Sequence, residues 1–115
     1  MSVLIEKENR VNPGEAKSVL VELFGNSPEV RLLDFFLDSP LNDHMQSEIA
    51  RRTGMNQRTI ARLLPKMLEK RLIVPTRKIA KARLYQLNAQ SPLIHSIREL
   101  EKAASEEFAE QLSKQ

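Results

Sequence analysis

Ser47-Glu48-Ile49-Ala50-Arg51-Arg52-Thr53-Gly54-Met55-Asn56-Gln57-Arg58-Thr59-Ile60-Ala61-Arg62-Leu63-Leu64 is the stretch that decides the fold of this chain. It reads as two helices joined by a tight turn. Ile49 and Ala50 give the first helix its apolar face, and Ala50 is small where the two helices would cross closely. Gly54 closes that helix, because a residue just past a helix end is often left-handed and glycine adopts that conformation without a Cβ penalty. Asn56 stands where a side-chain oxygen can cap the next helix. Ile60, Leu63, Leu64, Met67 and Leu68 then recur at helical spacing, so the second helix runs to about Lys70 with one apolar side. Gln57, Arg58, Thr59, Ala61, Arg62 and Lys66 are left for its other faces.

Working outward toward the C-terminus, Leu72-Ile73-Val74 reads as a strand and Pro75 to Lys81 as a basic loop. Ala82 to Leu87 is a second strand, with Tyr85 and Leu87 alternating toward one face. Ser91-Pro92 caps a last helix to about Ser113. Its apolar residues, Leu93, Ile97, Leu100, Ala104, Phe108 and Leu112, fall in a stripe of roughly 120°.

Working outward toward the N-terminus, Ser27-Pro28 starts a helix that Asp38-Ser39-Pro40 stops. Val30, Leu32, Leu33, Phe35, Phe36 and Leu37 sweep an arc of roughly 220° on it, so it needs cover on most sides. The first half of the last helix is expected to supply part of that cover. Arg31, Asp34 and Asp38 fill the remaining wedge and are expected to pair with one another in solvent. Before it, Asn12-Pro13-Gly14-Glu15 has the form of a helix start, and Gly25 of a helix end, for a helix carrying Ala16, Val19, Leu20, Leu23 and Phe24. Residues 1–11 read as a short strand or a loose segment.

The order helix, short helix, glycine turn, helix, strand, basic loop, strand is that of a winged helix-turn-helix. Over about residues 27–95 the chain resembles the ArsR- and MarR-like prokaryotic, bacterial or archaeal, transcriptional regulators. Ser47 to Leu64 matches their helix-turn-helix core, and Leu72-Ile73-Val74 and Leu84-Tyr85-Gln86-Leu87-Asn88 look like their wing strands. Three positions depart from the family pattern. Pro65 lies inside the second helix, where it removes a backbone donor, so a kink that re-aims Lys66 is expected. Arg71 replaces the glycine that often follows that helix. Met45 replaces the Ser or Thr that often caps the short helix, leaving Asp43 as a candidate cap for an earlier start.

The resemblance implies a mainly α fold with a small β wing, divided into an N-terminal extension (1–26), a winged helix-turn-helix (27–90) and a C-terminal dimerisation helix (91–115). Helix 56–70 would enter the major groove of double-stranded DNA. Gln57 would read adenine and Arg58 or Arg62 guanine, with Thr59 and Lys66 beside them. Arg77, Lys78, Lys81 and Arg83 of the wing would meet phosphate or the minor groove. Leu93, Ile97, Leu100, Ala104, Phe108 and Leu112 would form a homodimer interface, so the operator should be an inverted repeat. The helix from Pro13 to Phe24 is the rival for the dimer role and could share it.

The charge distribution supports a polyanion partner. From His44 to Arg83 there are eleven Lys or Arg and two acids, a net +9, while the rest of the 115 residues hold seven basic and thirteen acidic residues, a net −6. A basic stretch confined to one structural unit is the electrostatic footprint of a nucleic-acid binder. With no cysteine, two histidines and three glycines, the chain offers no metal-sensor cluster, phosphate-cradling loop or nucleophile elbow. No enzyme activity, metal or cofactor is expected. The absence of a long apolar run and of a signal-like start leads to an expectation of a cytoplasmic, nucleoid-associated protein with no membrane partner. Two other readings fit the same residues: a winged-helix module that binds an acidic protein, and a DNA-binding factor in replication or plasmid maintenance.

Overall fold

The computed structural model of the chain describes residues 18–113. Its elements are α1 (Val19–Phe24), α2 (Pro28–Asp38), β1 (His44–Met45), α3 (Gln46–Thr53), α4 (Gln57–Glu69), β2 (Ile73–Ile79), β3 (Ala82–Leu87) and α5 (Pro92–Ser113). The three strands form one antiparallel sheet in the order β1-β3-β2. This is a winged helix-turn-helix with a long C-terminal helix.

The caps fall where the side chains provide them. Ser27 Oγ accepts the Val30 N–H at 3.2 Å, and Asn56 Oδ1 accepts the Arg58 N–H at 2.7 Å. Ser91 Oγ accepts from both Leu93 and Ile94 at the start of α5. Gly54 ends α3 at φ 73°, in the left-handed region, and its N–H bonds the Ala50 carbonyl at 2.9 Å. The proposed start at Asn12-Pro13 lies outside the described residues. A single helix from Pro13 through Phe24 is nonetheless corrected: Ser18 is extended, at φ −72° and ψ 156°, and caps a new helix by accepting from Val21.

One hydrophobic core joins all the helices. Leu20 of α1, Leu32, Phe36 and Leu37 of α2, Ile49 of α3, and Ile60, Leu63, Leu64 and Met67 of α4 are buried in it together with Ile73 and Leu87 of the sheet. Ile94 anchors α5, with Ile97 packed beside it. Ile94 stands outside the stripe read from the sequence. The first half of α5 does supply part of the cover of α2, since Ile94 shares the core with Leu32, Phe36 and Leu37. Its backbone also approaches α1, and Arg98 Nη2 adds a polar tie to α2 by donating to the Leu37 carbonyl at 2.8 Å.

Several local expectations are corrected by partners distant in sequence. Arg31 does not pair with Asp34 or Asp38; its Nη2 donates to the Thr53 carbonyl at 2.7 Å, across the end of α3. The wing has almost no loop. β2 runs on to Ile79 through Pro75, Thr76, Arg77 and Lys78, with a register shift between Pro75 and Lys78, and only Ala80 and Lys81 turn the chain. Pro75 is tolerated because β2 is an edge strand and the ladder is already irregular there. Ala80 supplies the positive φ of the turn, at 56°. On β3, Leu84 is buried as well as Leu87, because the central strand lies between two neighbours.

α4 continues through Pro65 as one element of thirteen residues. The carbonyl that loses a donor belongs to Ala61, and both residues are exposed, so water can replace the missing bond. At its end, Arg71 keeps the turn that a glycine would make. It adopts φ 60°, its N–H bonds Leu68 and the Leu72 N–H bonds Met67, both at 3.0 Å. This is a complete Schellman pair with arginine in the left-handed position. Asn88 Nδ2 donates to the Arg71 carbonyl at 3.0 Å and holds the turn against the end of β3.

Candidate nucleic-acid interface

The burial of α4 leaves one outer face free. Ile60, Leu63, Leu64 and Met67 point into the core, and Arg58, Ala61, Arg62 and Pro65 lie opposite, all exposed. Arg58 and Arg62 are one turn apart and share that face. Gln57 is exposed beside them, and Thr59 is half-buried at the margin. Lys66 is exposed but sits toward α2. It lines, with Lys70, a groove of about 290 Å³ whose other walls include Val30, Leu33, Leu63 and Met67.

A second concavity ties the wing to the helices. A cleft of about 330 Å³ is lined by Met45, Gln46 and Ser47 on one side and by Lys81, Ala82, Arg83 and Tyr85 on the other. The first group is the start of α3, which has no side-chain cap: Met45 occupies the cap position and makes no such bond. Uncapped N–H groups and the positive end of the helix dipole therefore face the same region as Lys81 and Arg83. Gln46 also reaches α4, its Nε2 donating to the Gln57 carbonyl at 3.3 Å and to Gln57 Oε1 at 3.4 Å. Wing, α3 start and α4 start thus form one continuous surface. Gln46 and Ser47 were not among the residues singled out from sequence. The missing cap at Met45 was the signal that could have found them.

The wing cations are not equivalent. Lys78, Lys81 and Arg83 are exposed and make no ion pair among the described residues. Arg77 is bound by Asp43, with Nε to Oδ2 at 2.9 Å and Nη2 to Oδ1 at 3.1 Å, and Thr76 Oγ1 donates to the same Oδ2 at 2.6 Å. The hydrogen bonds from Arg77 and Thr76 hold the Asp43 carboxyl down, at about 2. Asp43 therefore does not cap α3.

Behind this surface lies an aromatic support. His44 is buried, with its ring edge-on to Phe35 at 4.7 Å between centroids and Nδ1 3.3 Å from Glu48 Oε2. The Arg52 guanidinium stacks over the other side chain of that pair, 5.0 Å from the Phe35 centroid. Arg52 is thus partly committed to the core, a use of its charge that periodicity alone does not show.

The residues expected at a dimer interface differ in exposure within the single chain. Leu93, Leu100 and Leu112 are exposed, the last at 71%. Ile97 and Phe108 are half-buried, and Ala104 is already covered within the single chain. On α1, Leu23 and Phe24 are exposed, Phe24 at 60%. Among the described residues no helix is long and apolar enough to cross a membrane.

The sequence matches no family model and no curated protein. In structure the chain is similar to a possible transcriptional regulator from Methanosarcina mazei Go1, at 14% identity over 84% of this chain and 81% of that one, with a TM-score of 0.53. It is also similar to a mutant of S. aureus MepR, at 20% identity and a TM-score of 0.54, over 82% of this chain and 66% of that one, so it spans just under two thirds of that protein's length. At such identities the likeness is one of fold.

Proposed function

We propose that this protein is a non-enzymatic, homodimeric regulator of transcription that binds double-stranded DNA in sequence-specific fashion. The observation that carries the reading is the continuous surface from the outer face of α4, through Gln46, to the cleft and the wing. Its exposed cations are Arg58, Arg62, Lys78, Lys81 and Arg83. Arg58 and Arg62 would meet base edges in the major groove, with Gln57 and Thr59 beside them and Lys66 at the margin. Lys78, Lys81 and Arg83 would meet the backbone, and the uncapped start of α3 would receive a phosphate in the cleft.

The dimer reading rests on the exposed apolar residues of α5 and α1, Leu93, Leu100, Leu112, Leu23 and Phe24, which a monomer would leave in water. Two copies related by a two-fold axis would present two α4 helices to an inverted repeat. No cofactor enters this function.

The test is binding of the purified chain to duplex DNA across a salt series. If a dimer makes about 6–10 phosphate contacts, log affinity against log salt has a slope of about −5 to −9. Selection from random duplexes should then return an inverted repeat. A flat salt response, or retention of an acidic protein in place of DNA, refutes the reading.

A further inference from the structure

We propose that Asp43 is the residue that positions the wing, and that Arg77, gripped by it, orients the wing instead of touching phosphate. The inference rests on the DNA-binding reading for its functional half.

The grip falls where the wing is least determined. Between Pro75 and Lys78 the pairing of β2 with β3 shifts register, so Thr76 and Arg77 form a bulge. A bulge bends its strand and alters its twist, and the direction is set by what holds it. Asp43 holds both bulge side chains at once, through the three bonds of 2.6, 2.9 and 3.1 Å. Asp43 is itself fixed from behind. The next residue, His44, is buried and pairs with Tyr85 on the central strand. The carboxylate is thus a fixed point on one edge of the sheet that ties down the other edge. The segment beyond the bulge, Lys78 to Lys81, carries the free cations to the wing tip.

The same contact changes the role of Arg77. Its fork is matched by both carboxylate oxygens, a planar fit that lysine could not reproduce. A cation already neutralised one-to-one has no counterion to release on DNA, so it adds nothing to the salt dependence. Exposure favours this division: the Asp43 side chain is 15% exposed and that of Arg77 62%, so the acid is the sheltered anchor and the arginine the piece it holds.

The experiment compares the full chain with Asp43→Ala, Arg77→Gln, Arg77→Lys and the double variant Asp43→Ala/Arg77→Gln. The first readout uses no DNA. Amide hydrogen exchange from Lys78 to Ala82 should quicken at least about tenfold in every variant while the α4 core amides keep their rates, as expected when only a local unit is released. Wing exchange that stays unchanged overturns the proposal. The second readout is duplex binding across salt. Each single variant should bind about threefold to tenfold more weakly with the slope unchanged, and the double variant no more weakly than either. A slope reduced by about one unit in Arg77→Gln identifies a phosphate contact and overturns the proposal. Tighter binding by Asp43→Ala does the same, because it means that a freed Arg77 reaches DNA. If the unaltered chain binds no DNA, the DNA-binding reading fails, and hydrogen exchange still decides whether Asp43 fixes the wing.

Discussion

Asp43, before β1 and against the wing, and Asp34 in α2 are the same side chain in opposite circumstances. Asp43 meets an arginine fork and a hydroxyl, and its carboxyl lies well below the usual range. Asp34 lies at the junction of α2 with α5, near Asp38 and Glu101, and all three carboxyls are pushed up, each first by burial. Ser18 bonds Asp34 and Arg98 attracts Asp38 and Glu101, but neither outweighs the burial. One Asp34 oxygen has no hydrogen-bond partner among the described residues. Against the wing, an acid grips a cation of β2. At the junction, acids crowd one cation, and the ionised form is disfavoured. The cations of the wing and of the outer face of α4 are exposed, whereas the carboxylates at the junction are partly buried where α5 joins the core through Ile94 and Ile97.

That division can be broken most forcefully at Ile94. It is 1% exposed in the core, so Ile94→Ala should destabilise the fold by about 2–5 kcal/mol. The check is urea unfolding, with a midpoint that falls at constant slope. A loss under about 1 kcal/mol would mean that α5 is not part of the core unit. Arg58→Ala and Arg62→Ala probe the other half. Each should weaken the preferred duplex by about 1–3 kcal/mol and relax its sequence preference. Melting temperature should hardly move, since both side chains are exposed. If instead these variants unfold the protein and leave affinity intact, the two halves have been assigned the wrong way round.

Smaller effects sharpen the comparison. Arg71→Gly should stabilise the chain by about 0.5–1 kcal/mol, because a left-handed non-glycine residue is strained by about 1–2 kcal/mol and glycine loses part of that gain to chain entropy. Thermal unfolding reads it, and a fall in midpoint would show that the arginine side chain outweighs the strain. The smallest effect is a matter of pH. Asp38 binds its proton more tightly when folded than at its ordinary 3.8. Its contribution therefore improves as pH falls through the folded value toward 3.8 and is lost again as pH rises. Asp38→Asn should raise the melting temperature at pH 7, with the gain shrinking toward pH 4. The Asp43 pair has the opposite sign. It is fully present above about 4 and disappears as pH falls toward about 2. Wing exchange should therefore quicken only in strong acid, after the junction has already firmed. Wing loosening and junction firming in the same pH range would contradict the contrast.

The legible parts of this fold are those whose cause lies within a few residues. Gly54, Ser27, Asn56 and Ser91 mark turns and caps because the bonded partner is two to four positions away. The outer face of α4 was legible for the same reason, through its 3.6-residue period. What escaped depends on partners brought together by folding. β1 is two residues long and exists because β3 lies beside it. Helical spacing puts Arg31 beside Asp34 and Asp38, but its guanidinium donates to a carbonyl 22 positions away. The grip of Asp43 on Arg77 spans 34 positions. Arg71 violates the local preference for glycine and is held in place by the Schellman bonds and by Asn88.

Tyr85 lines the cleft between the start of α3 and the wing, and the chain has one tyrosine and no tryptophan. Ultraviolet emission from the unlabelled protein therefore arises from a single phenol placed beside Lys81 and Arg83. Its intensity is an optical gauge of that one cleft, and nucleic acid entering there would be seen as quenching, without dye or tag.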